Sequence, residues 1–327
     1  MLRASVVAGL AMAIALASQA RAEEPTSAQL IDALNAVFGQ HPKTRASHAK
    51  GFCVKGSFTP APAAAGLSKA PLFERAVPIL GRFSMAGGNP KIADNAKSAP
   101  RGLAIRFGPE GNNTNLVMIS APVFFARTPA QMIEFLKVRV KAPGADTPDK
   151  TKIKAFSEAH PETTRQGAWL ANRPVPASYA TVNYWAVHAY TLTNAQGETK
   201  TVKFKAVPAK GEVGLGDEEA KEKGENFYKA ELEGRLAGGP AAFDLLAIIG
   251  EPGDEMDDPT VMWEEDARAK VKLGTVMVEA LEDDAVCDAM TFDPSTLPDG
   301  INGPENDPIF AARSGAYAVS VIRRAVE

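Results

Sequence analysis

Close to its C-terminus the chain reads R-S-G-A-Y-A-V-S-V-I-R-R, which sets Arg313, Tyr317 and Arg324 at i, i+4 and i+11. On a helix those spacings bring all three side chains to about one face. A protonated phenol, with a pKa near 10, is a poor metal ligand. A guanidinium one turn away favours the phenolate through charge and hydrogen bonding. Arg–x–x–x–Tyr is therefore a workable source of an anionic oxygen for ferric iron. Taken alone, it is equally the pattern of a surface arginine beside a half-buried tyrosine. The remaining metal-binding types are sparse: four histidines, His41, His48, His160 and His188, and two cysteines, Cys53 and Cys287. No histidine pair has zinc-site spacing, and there is no C-x-x-C, C-x-x-C-H, G-x-S-x-G or P-loop. Gly87-Gly88 lacks the strand–G-x-G-x-x-G–helix setting of a dinucleotide site.

Several elements must position these residues. The terminal segment reads as a helix capped by Asp307. Ser27 can cap an early helix carrying Leu30, Ile31, Leu34, Val37 and Phe38, ended by Gly39, and Thr128-Pro129 opens another with Met132, Ile133, Phe135, Leu136 and Val140. Strand patterns fall at 48–58, 77–86, 102–108 and 115–121. Four more follow at 182–193, 199–206, 241–250 and 271–279. Asn194-Ala195-Gln196-Gly197 forms a hairpin loop within the second group. Residues 142–180, between the groups, read as a charged helical or irregular excursion. Eight strands in two groups of four suit a closed antiparallel barrel with side excursions, or a sandwich.

The chain has 327 residues, enough for one large domain or two of ordinary size, and a net charge of −3 gives no basic surplus for nucleic acid. Residues 1–22 carry Arg3, an apolar run from Val6 to Ala17 and the small-residue pair of Ala20-Arg21-Ala22, the order of a secretion signal. The run is too short to span a bilayer. A cleaved signal at 1–22, a mature domain at 23–327 and export to a bacterial periplasm are expected, with no membrane partner. In that oxidising compartment Cys53 and Cys287 could pair, or stay as two separate buried thiols.

Five segments in order carry a resemblance: R-A-S-H-A-K-G around His48, R-F-S at Arg82–Ser84, A-P-R-G-L-A-I-R-F at 99–107, P-V-F-F at 122–125, and the terminal R-x-x-x-Y. Together, from about residue 41 to 324, they resemble the catalase family, and most closely its short members, the catalase-related peroxidases. The resemblance implies an α+β fold: a closed antiparallel eight-stranded barrel with helical excursions and a C-terminal proximal helix. It implies haem b as cofactor, with Tyr317 ligating the iron as in that family and Arg313 activating it. His48 then matches the distal base, and Ser84 the residue holding its imidazole. Arg45, Arg82 and Arg324 match arginines that pair with the haem propionates, while Phe124 and Phe125 match distal aromatics. The other three histidines are assigned no role.

Three departures shape the expected activity. Catalases place an asparagine above the haem just before P-V-F-F, and Ser120 is assigned to that place, retaining one hydrogen bond to peroxide. Ser47 precedes His48 where catalases usually carry valine; allene oxide synthases, which share the fold, have a hydroxyl there. The chain ends soon after Arg324, without the C-terminal segments of full catalases, which implies a more open pocket. The expectation is a haem peroxidase that reduces hydrogen peroxide or organic hydroperoxides with a small organic electron donor and retains some catalase activity. The alternatives are a fatty-acid hydroperoxide isomerase or lyase, and a non-catalytic haem-binding protein.

Overall fold

The computed structural model describes residues 24–109, 111 and 113–326, so the expected signal at 1–22 lies outside the described residues. Eight antiparallel strands form the barrel: β1 (Gly51–Pro60), β2 (Val77–Met85), β3 (Arg101–Phe107), β4 (Thr114–Ile119), β5 (Tyr184–Trp185), β6 (Thr199–Pro208), β7 (Ala241–Ile249) and β8 (Lys270–Leu281). Each pairs with the next, except that β8 pairs back to β1. The ring is closed, which leaves these strands no free edge. The barrel expected from the strand count is the one formed, and the sandwich is not.

Alternation along the strands divides their residues between two surfaces. Phe83, Leu103, Ile105, Leu116 and Met118 join Val54, Phe58, Tyr184, Phe204 and Phe243 in the main apolar core. Their neighbours Arg82, Ser84, Gly102, Ala104, Val117 and Ile119 line a cavity on the other surface.

Helices close that cavity. They are α1 (Ser27–Phe38), α2 (Pro129–Lys137) and a long C-terminal helix (Pro308–Val326), packed on one another. Ile31, Leu34 and Leu136 are buried between them with Met132, Phe135, Ala316 and Val319. The α1 cap is Thr26, in a reciprocal pair with Gln29, rather than Ser27, which is the first helical residue. Thr128 caps α2 as expected, but that helix ends at Lys137, leaving Val140 beyond it and exposed. Asp307 Oδ1 accepts from the amides of Ile309 (2.9 Å) and Phe310 (3.0 Å), capping the C-terminal helix.

The excursion at 142–180 contains two helices, Lys150–Ala159 and Arg165–Ala171. The strand expected over 182–193 is broken into β5 and a short hairpin strand, Tyr190–Thr193, which pairs with β6. The break at 186–189 holds His188, whose ring is tied to the C-terminal helix instead of facing a neighbouring strand.

Candidate active site

The cavity has a volume of about 590 Å³ and lies between the barrel wall and the three closing helices. That is a normal size for a cofactor or small-molecule site. The C-terminal helix contributes Ile309, Ala312, Arg313, Ala316, Tyr317, Ser320 and Arg324 to it. This is the single face that the i, i+4, i+11 spacing dictates; Ile322 and Val326, off that face, are exposed.

Arg313 Nη2 donates to the Tyr317 phenolic oxygen at 2.5 Å, and Arg313 Nη1 lies 3.0 Å from His188 Nε2. His188 Nδ1 in turn lies 2.6 Å from Asp307 Oδ2, with both side chains 1% exposed. An arginine only donates, so Nε2 accepts and Nδ1 carries the proton given to Asp307. Burial depresses the His188 pKa in spite of the raising effect of the Asp307 hydrogen bond, in keeping with a neutral ring. Burial also works against the Arg313 cation; the charge and hydrogen bond of Tyr317 outweigh it and raise the Arg313 pKa. His188 and Asp307 were not legible as site residues, because His188 lies 125 positions from Arg313, and Asp307 reaches Arg313 only through His188, with no shared motif.

His48 and Ser84 line the same cavity, with His48 Nδ1 2.9 Å from Ser84 Oγ. His48 sits at φ +55°, a left-handed conformation uncommon outside glycine. Arg82 holds it there, donating to the carbonyls of His48 (2.8 Å) and Ala49 (3.1 Å). Room for the ring comes from Gly102: a Cβ there would lie 2.6 Å from Ser84 Oγ and 2.7 Å from His48 Nδ1. Burial, then the charges of Arg82, Arg313 and Arg45, push the imidazole down to about 3. It is neutral at ordinary pH.

Ser120 is not where the sequence reading assigned it. It is 5% exposed, its Oγ accepts from the Arg101 amide at 2.9 Å, and the side chain that lines the cavity here is Ile119. Ile119, the last residue of β4, faces the cavity, and Ser120, the first residue past the strand, turns instead to β3, where its amide also donates to the Arg101 carbonyl at 2.8 Å. The cavity wall at this point is hydrocarbon.

Phe124 and Phe125 line the cavity with ring centroids 4.3 Å apart, and Ser47 lines it beside His48. Arg45, Arg82 and Arg324 also reach it. Arg45 donates to the carbonyls of Cys287 (2.6 Å) and Met290 (3.2 Å), and Arg324 to those of Asp288 (3.2 Å) and Met290 (3.0 Å). Among the described residues, the carboxylate paired with this trio is Asp288, 3.4 Å from Arg45 and 55% exposed. Burial, followed by the charges of Arg82 and Arg324, lowers Arg45 to about 9, and burial lowers Arg82 and Arg324 as well. Three crowded, part-buried guanidiniums with one weak counter-ion suit a ligand bearing carboxylates at its edge. With a phenolic oxygen on one side and apolar rings lining the space, the residues fit haem.

A disulfide joins Cys53 to Cys287, resolving the pairing that the sequence left open. It fastens β1 to the segment whose carbonyls receive Arg45 and Arg324.

The chain matches the catalase family model over residues 26–326. It is 37% identical over 303 residues to a catalase-related peroxidase of Synechococcus elongatus, covering 91% of this chain and 88% of that one. A catalase-related peroxidase of Mycolicibacterium paratuberculosis is 35% identical over 300 residues, covering 90% and 94% respectively. Among solved structures, a fungal catalase superposes with a TM-score of 0.78 at 24% identity, over 87% of this chain and 60% of that one. Catalase A of Saccharomyces cerevisiae gives 0.78 at 22%, over 87% and 62%. The chain thus spans less than two thirds of either catalase's length.

Proposed function

Since the chain belongs to the catalase family, we propose that it is an exported haem b peroxidase, reducing hydrogen peroxide or organic hydroperoxides at the expense of a small organic electron donor. The observation that carries this reading is the pair of opposed constellations on one cavity: His48–Ser84 on the barrel side and Tyr317–Arg313 on the C-terminal helix. Export rests on residues 1–22 and is supported by the Cys53–Cys287 bond, since disulfides persist in oxidising compartments.

Haem, when bound, supplies the redox chemistry of O–O cleavage. Tyr317 is the residue to hold its iron, and Arg45, Arg82 and Arg324 are those to hold its carboxylates. Arg313 donates to the Tyr317 oxygen and offsets negative charge there, while Asp307 and His188 fix the guanidinium. Ser84 Oγ holds Nδ1 of His48 at 2.9 Å, and the tautomer with its proton on Nδ1 leaves Nε2 with a free lone pair. A neutral imidazole so held takes the proton of an incoming hydroperoxide and returns it to the departing oxygen, ordinary acid–base work. Ile119 offers that peroxide no second hydrogen bond, so His48 acts with little polar help. A hydrocarbon wall also accommodates an organic hydroperoxide better than a polar one would. Both features favour peroxidase over catalase turnover.

The test is the hemin-loaded protein in two assays. Hydrogen peroxide should alter its absorption spectrum within the mixing time, and steady-state turnover should consume a phenolic donor faster than it releases oxygen. Vigorous oxygen release with no donor oxidised would overturn the peroxidase assignment. A spectrum unmoved by peroxide would overturn catalysis altogether.

A further inference from the structure

The chain has three tryptophans, Trp169, Trp185 and Trp263, and all three gather in one cluster beside the cavity. Trp185 on β5 is 4% exposed and lines the cavity itself. It stands opposite Ile119 of β4, in a cross-strand row running Ser84–Gly102–Ile119–Trp185. At about 4.8 Å between strands, the indole lies about 14 Å along the sheet from Ser84. Trp169, on the helix Arg165–Ala171, meets Trp185 edge to face with ring centroids 5.6 Å apart. Trp169 is only half-buried, and the Arg173 guanidinium lies 4.1 Å from its ring centroid. Arg173 is itself 45% exposed, so this end of the pair is at the surface.

Trp185 stands between two opposite charges. Its indole N–H donates to the Glu265 carboxylate. Lys205, directly across the β5–β6 ladder, lies 4.6 Å from the ring and 2.7 Å from Glu265, so the two charges beside the indole cancel. An indole that loses an electron becomes strongly acidic at nitrogen, and a carboxylate already in hydrogen-bond contact can take that proton and give it back.

We propose that Trp169 and Trp185 form an electron path from the surface to the cavity, through which phenols too large to enter are oxidised at Trp169. The inference rests on the peroxidase reading above. Each passage moves one electron from a phenol to Trp169, from Trp169 to Trp185, and from Trp185 into the cavity; the phenolic proton is released. Two passages supply the two electrons, and the two released protons balance those taken up as the O–O bond of the hydroperoxide is cleaved to an alcohol (or water) and water. Glu265 holds the indole proton during each passage.

The experiment uses hemin-loaded protein, hydrogen peroxide, and two donors: guaiacol, a small diffusible phenol, and a phenol tethered to dextran, which is too large to enter. Trp169→Phe should slow oxidation of the tethered phenol by about tenfold or more and change guaiacol oxidation by less than about twofold, and Trp185→Phe should lower the tethered-phenol rate relative to its own guaiacol rate by about tenfold or more. Trp263→Phe, which removes a packed indole from the same cluster, should leave both rates near wild type. Freeze-quench electron paramagnetic resonance after peroxide, with no donor, should show a radical whose hyperfine pattern changes on indole deuteration and which Trp185→Phe abolishes. The proposal is overturned if the tethered phenol reacts at full rate in both path variants, if wild-type protein cannot oxidise it, or if no indole radical forms. A hemin spectrum that peroxide does not alter is a different result, because it defeats the peroxidase reading itself.

Discussion

His48 combines a left-handed backbone, an Nδ1 in contact with Ser84 and a pKa pushed down to about 3. The direction of that shift makes a prediction. The neutral base is fully present above the ordinary value near 6.5 and, because its pKa is lowered, persists until the pH approaches 3. The rate constant for reaction of hemin-loaded protein with peroxide should therefore be flat from pH 8 down to pH 5, measured by stopped flow. A fall centred near 6.5 would show the imidazole to be unperturbed. His48→Ala should retain hemin and slow the same step by about 10²–10⁴-fold, the usual worth of a positioned proton carrier. An undiminished rate in that variant would remove His48 from the chemistry. At this scale the sequence singled out His48, Ser84, Arg313 and Tyr317 by type and order, and the structure brings all four to one cavity. The sequence reading assigned Ser120 to the cavity, where the structure puts Ile119, because one residue decides which side chain at the end of β4 faces inward and motif spacing does not resolve it. His188 and Asp307 went unrecognised because their role exists only through contact with Arg313.

Elements matter here as surfaces of fixed period. The C-terminal helix delivers Arg313, Tyr317 and Arg324 to one cavity because 3.6 residues per turn aligns them, and Asp307 fixes where that period starts. Strand β3 contributes by what it lacks. Gly102 leaves the space in which the His48 ring rests against Ser84, where a methyl group would meet atoms at 2.6 and 2.7 Å. Gly102→Ala should cost about 1–3 kcal/mol of stability through overpacking, read from denaturant unfolding. It should also displace the imidazole, slowing the peroxide step while hemin still binds through the C-terminal helix. Full peroxide reactivity in a folded Gly102→Ala protein would mean that the His48–Ser84 contact is dispensable. The periodic elements were legible from local residue spacing, with boundaries within a few residues. The break in the strand expected over 182–193 was not, since the tie between His188 and the C-terminal helix that accompanies it is long-range.

Over the whole molecule, the closed barrel provides a rigid wall and the Cys53–Cys287 bond fastens the segment carrying Cys287, Asp288 and Met290 against it. That bond spans 234 residues of sequence, so removing it should destabilise the protein by about 2–5 kcal/mol. It should also loosen the carbonyls that orient Arg45 and Arg324. The double variant Cys53→Ala/Cys287→Ala should therefore melt earlier and lose hemin faster to apomyoglobin. Equal melting and equal transfer rates would show the bond to be idle. The local code of side-chain type and spacing was sufficient for eight strands that suit a barrel or a sandwich, a capped terminal helix with one chemical face, and a family resemblance through five ordered segments that implied the barrel. Periodicity and motifs are properties of near neighbours, and near neighbours are all that a sequence displays directly. Chain closure alone decided the rest: that Cys53 bonds Cys287, that Ile119 rather than Ser120 meets the cavity, that Asp307 and His188 brace Arg313, and that Trp169 touches Trp185. Each of these depends on which distant surfaces come to face one another, and that follows from the energetics of the assembled core rather than from any single stretch of chain.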